Sequence, residues 1–162
     1  MEIMIRSPKL QDYDRFSNIM EQTQALHVDW RPDVYKLTNP FITKEIFQTM
    51  IKSGSWYVAE INNMAVGVME LTKRHVESPS KATKDILFID SIAVDREYRG
   101  KGIGRRLFEK AKQIKEESCC DTIELQVNAK NKAAYEIYKH CGFTEKSIHM
   151  GDRFKFCVNS KN

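Results

Sequence analysis

The sequence predicts an α/β (α+β) fold, a mixed sheet with helices on both faces, and three observations carry that prediction. Read along the chain, the elements run strand, helix, helix, three strands, helix, strand, helix and two strands. One long apolar run, residues 86–94, is interrupted only by Asp90 and Ser91 and has the β-branched content of a central strand buried on both faces. A glycine-rich loop then leads into a helix-period stripe at Ile103, Leu107, Ala111 and Ile114.

The other elements follow from local signals. Residues 1–6 alternate, with Ile3 and Ile5 on one side, as in a strand that begins at a sheet edge, and Ser7-Pro8 ends it. Residues 12–26 carry Phe16, Ile19, Met20 and Leu26 on one helical side. Thr43 with Ile46, Phe47, Met50 and Ile51 predicts a second, capped helix. Residues 56–61 and 64–72 are strands joined at Asn62-Asn63, a pair that tolerates positive φ in a tight hairpin. Residues 73–85 are polar, contain Ser78-Pro79, and read as a loop. Residues 122–128 alternate through Ile123, Leu125 and Val127, and a helix follows around Ala134, Ile137 and Tyr138. Two last strands, 144–150 and 153–158, flank a turn at Gly151-Asp152.

Composition bounds the possibilities. With 162 residues, 41% hydrophobic and 30% charged, the chain is an ordinary globular one, read as a single domain over 1–162. A net charge of +4 is too mild to argue for nucleic acid. No apolar run approaches the ~20 residues of a membrane helix, and the first residues lack a signal-peptide core. Cys119, Cys120, Cys141 and Cys157 show neither C-x-x-C nor metal-ligand spacing, so they read as reduced thiols, no metal is expected, and the expected location is cytoplasmic.

The loop after residue 94 has the form of an anion site. The first turn of a helix carries unpaired N–H donors and about half a positive charge, and glycines let a phosphate approach without a Cβ in the way. A P-loop would need Ser or Thr after Lys101, where Gly102 stands. A dinucleotide fingerprint would need glycine at Arg105 or at Leu107, so both alternatives fail. What remains, Arg99-x-x-Gly102-x-Gly104 after Ala93-Val94, resembles the acetyl-coenzyme A loop of the GCN5-related N-acetyltransferase (GNAT) family. Residues 131–143 resemble that family's second signature at Asn131, Ala134, Tyr138, Gly142 and Phe143.

The resemblance implies a mixed, mostly antiparallel sheet of about seven strands, with the strand before the glycine loop splaying from the one before Asn131. It implies an acyltransferase moving acetyl from acetyl-CoA, the co-substrate, to a primary amine in a ternary complex. Residues 27–51 would wall the acceptor cleft, with Trp30, Tyr35 and Phe41 as candidate contacts. Ile92, Ala93 and Val94 would pair with the pantetheine arm. Arg99, Gly100, Lys101, Gly102, Ile103, Gly104 and Arg105 would hold the phosphates, and Asn131 and Tyr138 would complete the cofactor site. Tyr138 is implied as general acid to the departing thiolate.

Acetyl transfer also needs a proton acceptor, because an amine of pKa ~10.4 is almost wholly charged at pH 7, a handicap near 4.6 kcal/mol. The tetrahedral intermediate needs an oxyanion donor, for which an N–H at the end of the central strand could serve. Relatives acting on peptide N-termini carry a glutamate five residues before the motif asparagine; here that residue is Gln126, which cannot take a proton. Asp90 and Glu70, carboxylates within apolar strands, are the candidate bases, beside a chain of waters. The acceptor is a small-molecule or protein amine. Other readings are an acetyl-CoA-binding regulator without turnover, or a nucleic-acid module using Arg96, Arg99, Lys101, Arg105 and Arg106. The second lacks the aromatic interleaving of single-strand binders. Exposed sheet edges make a homodimer a further expectation.

Overall fold

A computed structural model describes residues 2–151. Its sheet has five strands in the spatial order of the chain: β1 (Met4–Arg6), β2 (Trp56–Ile61), β3 (Met64–Ser78), β4 (Lys81–Val94) and β5 (Thr122–Leu125). The first three junctions are antiparallel, and β4 and β5 run parallel, joined by the crossover helix α3 (Ile103–Glu117). Helices α1 (Tyr13–Trp30) and α2 (Lys44–Ser53) precede β2, and α4 (Lys132–His140) follows β5.

Two cores lie on opposite faces of this sheet. Phe16 and Ile19 of α1, Phe47 of α2, and Trp56, Val58 and Val68 of the sheet form one, centred on the Phe16–Phe47 and Phe16–Trp56 ring contacts. On the other face, Ile103, Leu107, Phe108 and Ala111 of α3 pack on Met69, Leu71, Leu87 and Ile89, and Tyr138 of α4 joins them. Gly67 lets α3 come close: a Cβ there would lie 2.9 Å from Ile103 Cγ2 and 3.3 Å from the Ala93 carbonyl oxygen.

Local signals act as their chemistry dictates. Asn62 and Asn63 take φ of 49° and 61° in a two-residue hairpin loop. The Thr43 hydroxyl accepts from the Ile46 N–H at the start of α2, and Gly54, at φ 69°, ends it. At the sheet edge, Arg6 donates to both Asp12 and Glu60, so β1, β2 and the start of α1 share one buried charge cluster.

Three expectations are corrected. Residues 73–85 are no loop: β3 and β4 continue as an antiparallel ladder out to Ser78↔Lys81. Both faces of this arm meet solvent, so no apolar alternation marks it. Cross-strand pairs stiffen it instead, with His75 Nδ1 2.7 Å from Asp85 and the Arg74 guanidinium 3.5 Å over the Phe88 ring. Second, β5 stops at Leu125 rather than running through 128. Third, residues 144–150 join no ladder, so the described sheet has five strands rather than about seven. The expected strand at 153–158 lies outside the described residues.

Candidate active site

The pairing of β4 with β5 runs from Ile86↔Thr122 to Ile89↔Leu125 and goes no farther. Beyond that point β4 keeps its β3 partner up to Val94, while the chain after Leu125 turns away toward α4. The strands part, and a cleft of about 120 Å³ opens between them. Ile89 through Ala93 form one wall, and Leu125 through Asn128 the other. The opening explains why residues 90–94 are not buried as their apolar run predicts, since the edge that β5 would cover is free to meet a ligand.

Immediately after β4, Asp95 is 2% exposed and ties the loop to α1. Its carboxylate accepts from Arg15 Nη2 at 2.5 Å, from Gln22 Nε2 at 3.4 Å and from the Glu97 N–H at 3.1 Å. The Gln22 side chain in turn accepts from the Arg96 N–H. Burial pushes the Asp95 carboxyl up, but the Glu97 N–H, Gln22 and Arg15 together hold it below its ordinary value. A 3₁₀ turn, Arg96–Tyr98, follows, and then Gly100 and Gly102 at φ 74° and 82°. That left-handed region is where a Cβ would be strained. The first intrahelical bond of α3 is Arg106 N–H to Gly102 O, so the N–H groups of Ile103, Gly104 and Arg105 end the helix as free donors. No acidic residue stands in that first turn.

Of the predicted phosphate ligands, Arg99, Lys101 and Arg105 are exposed. Arg99 Nε donates to the Val94 carbonyl, Lys101 lies 4.7 Å from the Tyr98 ring centroid, and Arg105 and Arg106 both contact Glu109. Ile103 is 1% exposed, so its side chain belongs to the core and only its N–H faces the loop.

From the far side, α4 supplies Asn131 and Tyr138 to the cleft. Asn131 caps the helix, its side-chain oxygen accepting from the Ala134 N–H at 3.2 Å. The helix ends in a Schellman motif: Gly142, at φ 91°, lets its N–H reach Lys139 O and lets the Phe143 N–H reach Tyr138 O. Phe143 thereby folds back on the Tyr138 ring, which Phe108 contacts edge-on at 5.6 Å. Burial pushes the Tyr138 phenol up to about 12.

The face of the sheet under α1 carries the carboxylates. Asp90 lines the cleft, but its oxygens accept from Thr72 and from Arg74. Glu70 lies outside the cleft lining, where Ser55 donates to it at 3.4 Å; burial, and then the charge of Asp90, push its carboxyl up. The structure thus brings Asp90, Ile92, Ala93, Asn131 and Tyr138 to one cleft and leaves Glu70 and Val94 beside it.

Side chains to which the sequence reading gave no individual role at the site also reach it. Met20, Thr23 and His27 of α1 line the cleft. Their i, i+3, i+7 spacing was the available signal, obscured because Thr and His do not read as a buried stripe. Trp30 and Tyr35, expected at an acceptor wall, stack on His27 with ring centroids at 5.8 and 4.9 Å, while Phe41 packs into the α1–α2 core. A larger depression, about 330 Å³, lies between Leu10–Asp14 and α2, away from the parted strands, and neither sequence motif reaches it.

A family model described as "Acetyltransferase (GNAT) family" matches residues 20–143. An uncharacterised N-acetyltransferase of Methanocaldococcus jannaschii is 33% identical over 96 residues, 59% of this chain and 42% of that protein. N-alpha-acetyltransferase 30 of Xenopus laevis is 41% identical over 56 residues, 35% of this chain and 20% of its own. The chain therefore spans less than half the length of these curated relatives. Among solved structures, a mutant of the Bacillus halodurans BH1408 protein superposes with a TM-score of 0.83 at 24% identity, covering 94% of this chain and 99% of its own. Aminoglycoside N-acetyltransferase AAC(6')-Iy in complex with CoA superposes with a TM-score of 0.69 at 14% identity, covering 96% of each chain. At these identities the likeness is one of fold.

Proposed function

The chain belongs to the acetyltransferase (GNAT) family, and from that premise we propose that it moves the acetyl group of acetyl-CoA to a primary amine by direct attack within a ternary complex. The observation that carries this reading is the cleft where β4 and β5 part, which opens beside a glycine loop with free helix-terminal N–H donors and holds Tyr138. A pantetheine arm fits the open edge of β4 along Ile92, Ala93 and Val94, satisfying the backbone groups that β5 leaves there. The donors of Ile103, Gly104 and Arg105, with Arg99 and Lys101 nearby, suit the pyrophosphate. An N–H of the same β4 edge would hold the oxyanion as the amine attacks the carbonyl.

Tyr138 would hydrogen-bond the sulfur as it leaves. With the phenol near 12 and a thiol near ~8.5, full transfer is uphill by about 5 kcal/mol, so the phenol acts by a bond that strengthens as charge develops. Of the two carboxylates on the α1 side of the sheet, Asp90 is neutralised by Arg74, so Glu70 is the one that would favour a cationic acceptor. Among acceptors, Gln126 in place of a carboxylate weighs against the N-terminal peptide chemistry named for the Xenopus relative, and a small polyamine or aminosugar is the first class to try.

The test is a turnover screen with acetyl-CoA and an amine panel, reading released thiol, beside a melting curve with CoA. Acetyl-CoA should raise the melting temperature by mass action. An unmoved curve at millimolar acetyl-CoA would refute the reading, and tight binding of DNA or RNA in competition with CoA would favour the nucleic-acid module instead.

A further inference from the structure

We propose that His27 is a catalytic residue that takes the proton from the acceptor amine as the new C–N bond forms; the inference rests on the acetyl-transfer reading above. The cleft between β4 and β5 passes through the sheet. Tyr138 reaches it from the α3–α4 face, and Thr23 and His27 reach it from α1 on the opposite face. A thioester whose sulfur lies toward Tyr138 presents its carbonyl to an amine arriving from the α1 side, where His27 stands.

The imidazole is suited to that place. Tyr35 and Trp30 hold its ring from its own side of the cleft. The titratable groups facing it are Tyr35 beside it, Asp90 from β4 and Tyr138 from α4; the facing residues between β5 and α4, Gln126, Asn128 and Asn131, are neutral amides. Among the described residues no carboxylate pairs with His27, whereas His75 on the β3–β4 arm contacts Asp85 and Glu77. Burial holds His27 below its ordinary value, which favours the neutral, proton-accepting imidazole. The carboxylates are less suited: Asp90 is committed to Arg74 and Thr72, and Glu70 lies outside the cleft.

The step balances as follows. The neutral amine adds its lone pair to the thioester carbon, and the carbonyl π pair moves to oxygen. The nitrogen, now cationic and acidic, gives one proton to the imidazole. The oxyanion then re-forms the carbonyl and breaks the C–S bond, and the electron pair leaves with sulfur as a thiolate that Tyr138 hydrogen-bonds and solvent protonates. His27 returns its proton to water, so amine and thioester have become amide and thiol.

His27→Gln and His27→Ala decide the matter, with spermidine, neamine and an alanine-initiated peptide as acceptors between pH 5 and 9. Both variants should lose about a hundredfold in kcat, keep the CoA-induced melting shift, and lose the acid limb of the wild-type profile. Added imidazole should restore part of the rate to His27→Ala. Retention of kcat within threefold, or an unchanged acid limb, would overturn the proposal while leaving acetyl transfer intact. Proton NMR adds a reading independent of any acceptor, with the His27 resonance assigned by its absence in His27→Gln. Titration below 6.5 supports the role, and an imidazole still charged at pH 7 excludes it. If the wild type neither binds acetyl-CoA nor releases thiol, it is the acetyl-transfer reading that fails.

Discussion

Replacing Asp95 with alanine should cost about 3 kcal/mol and loosen the cofactor loop. The carboxylate caps the 3₁₀ turn through the Glu97 N–H, and such caps are worth about 1 kcal/mol. Its bond to Arg15 is charge-assisted and worth about 1.5–3 kcal/mol. Because the Arg15 side chain is 34% exposed, water recovers part of its charge when the partner goes, which keeps the sum near the lower end. Urea unfolding of Asp95→Ala should show the midpoint falling at constant slope, and the melting temperature should drop by about 6–12 °C. Asp95→Asn retains an acceptor for the Glu97 N–H and should lose about half as much. Since Asp95 and Gln22 together tie the loop to α1, CoA affinity should fall in the same order, alanine below asparagine. A loss under 1 kcal/mol in Asp95→Ala, or unchanged CoA affinity in a variant destabilised as expected, would refute the reasoning.

Tyr138→Phe keeps the ring that Phe108 and Phe143 pack against, so melting temperature and acetyl-CoA affinity should stay within a few-fold while kcat falls about ten- to a hundredfold; an unchanged kcat would mean that the hydroxyl is idle. Gly102→Val puts a β-branched side chain at φ 82° and should abolish the CoA-induced melting shift, at a cost of about 1–2 kcal/mol in urea unfolding. Asp12 is pushed up by burial but held low overall by Arg6 and the Lys9 N–H, and Asp95 is likewise lowered. Their contribution is therefore complete above the ordinary carboxylate range and lost as pH falls through the lower folded-state values. The urea midpoint should hold from pH 7 to about 5 and fall steadily below about pH 4; a midpoint that stays level down to pH 2 would contradict this.

The geometry of the proposed cofactor side, a strand, a glycine loop and a helix start in succession, was legible in the sequence because its requirements are local. A buried strand, a loop of glycines and a helix start must be contiguous to present N–H groups to a phosphate, and Gly142-Phe143 must come four and five residues after Tyr138 for Phe143 to fold back on it. On the α1 side the sequence offered only the broad span 27–51, and the contacts it named there, Trp30, Tyr35 and Phe41, do not line the cleft. His27 comes from a helix more than sixty residues before Ile92, and Asp95 meets Arg15 across eighty positions, so only the packing of α1 on the sheet brings them together. The β3–β4 arm was misread because both its faces are wet, and a strand without a core face has no apolar period to announce it. The expected count of about seven strands failed in part because residues 144–150, with only Ile148 and Met150 apolar, join no ladder.

One irregularity in the ladder has the last consequence. Glu70 faces Ser91 and Leu71 faces Ile89, so Asp90 is an extra residue without a partner of its own. Upstream of it the odd-numbered Leu87 and Ile89 serve the α3 core; downstream the even-numbered Ile92 and Val94 do so, and Ala93 turns to the α1 side. The strand changes its parity at one residue. A chain shortened by Asp90 alone would set Ile89 and Ser91 as consecutive partners of Leu71 and Glu70, in regular alternation, and Ile92 and Val94 would stay on the α3 side. β4 therefore carries one residue more than its ladder needs, and that surplus residue is the carboxylate that lines the cleft.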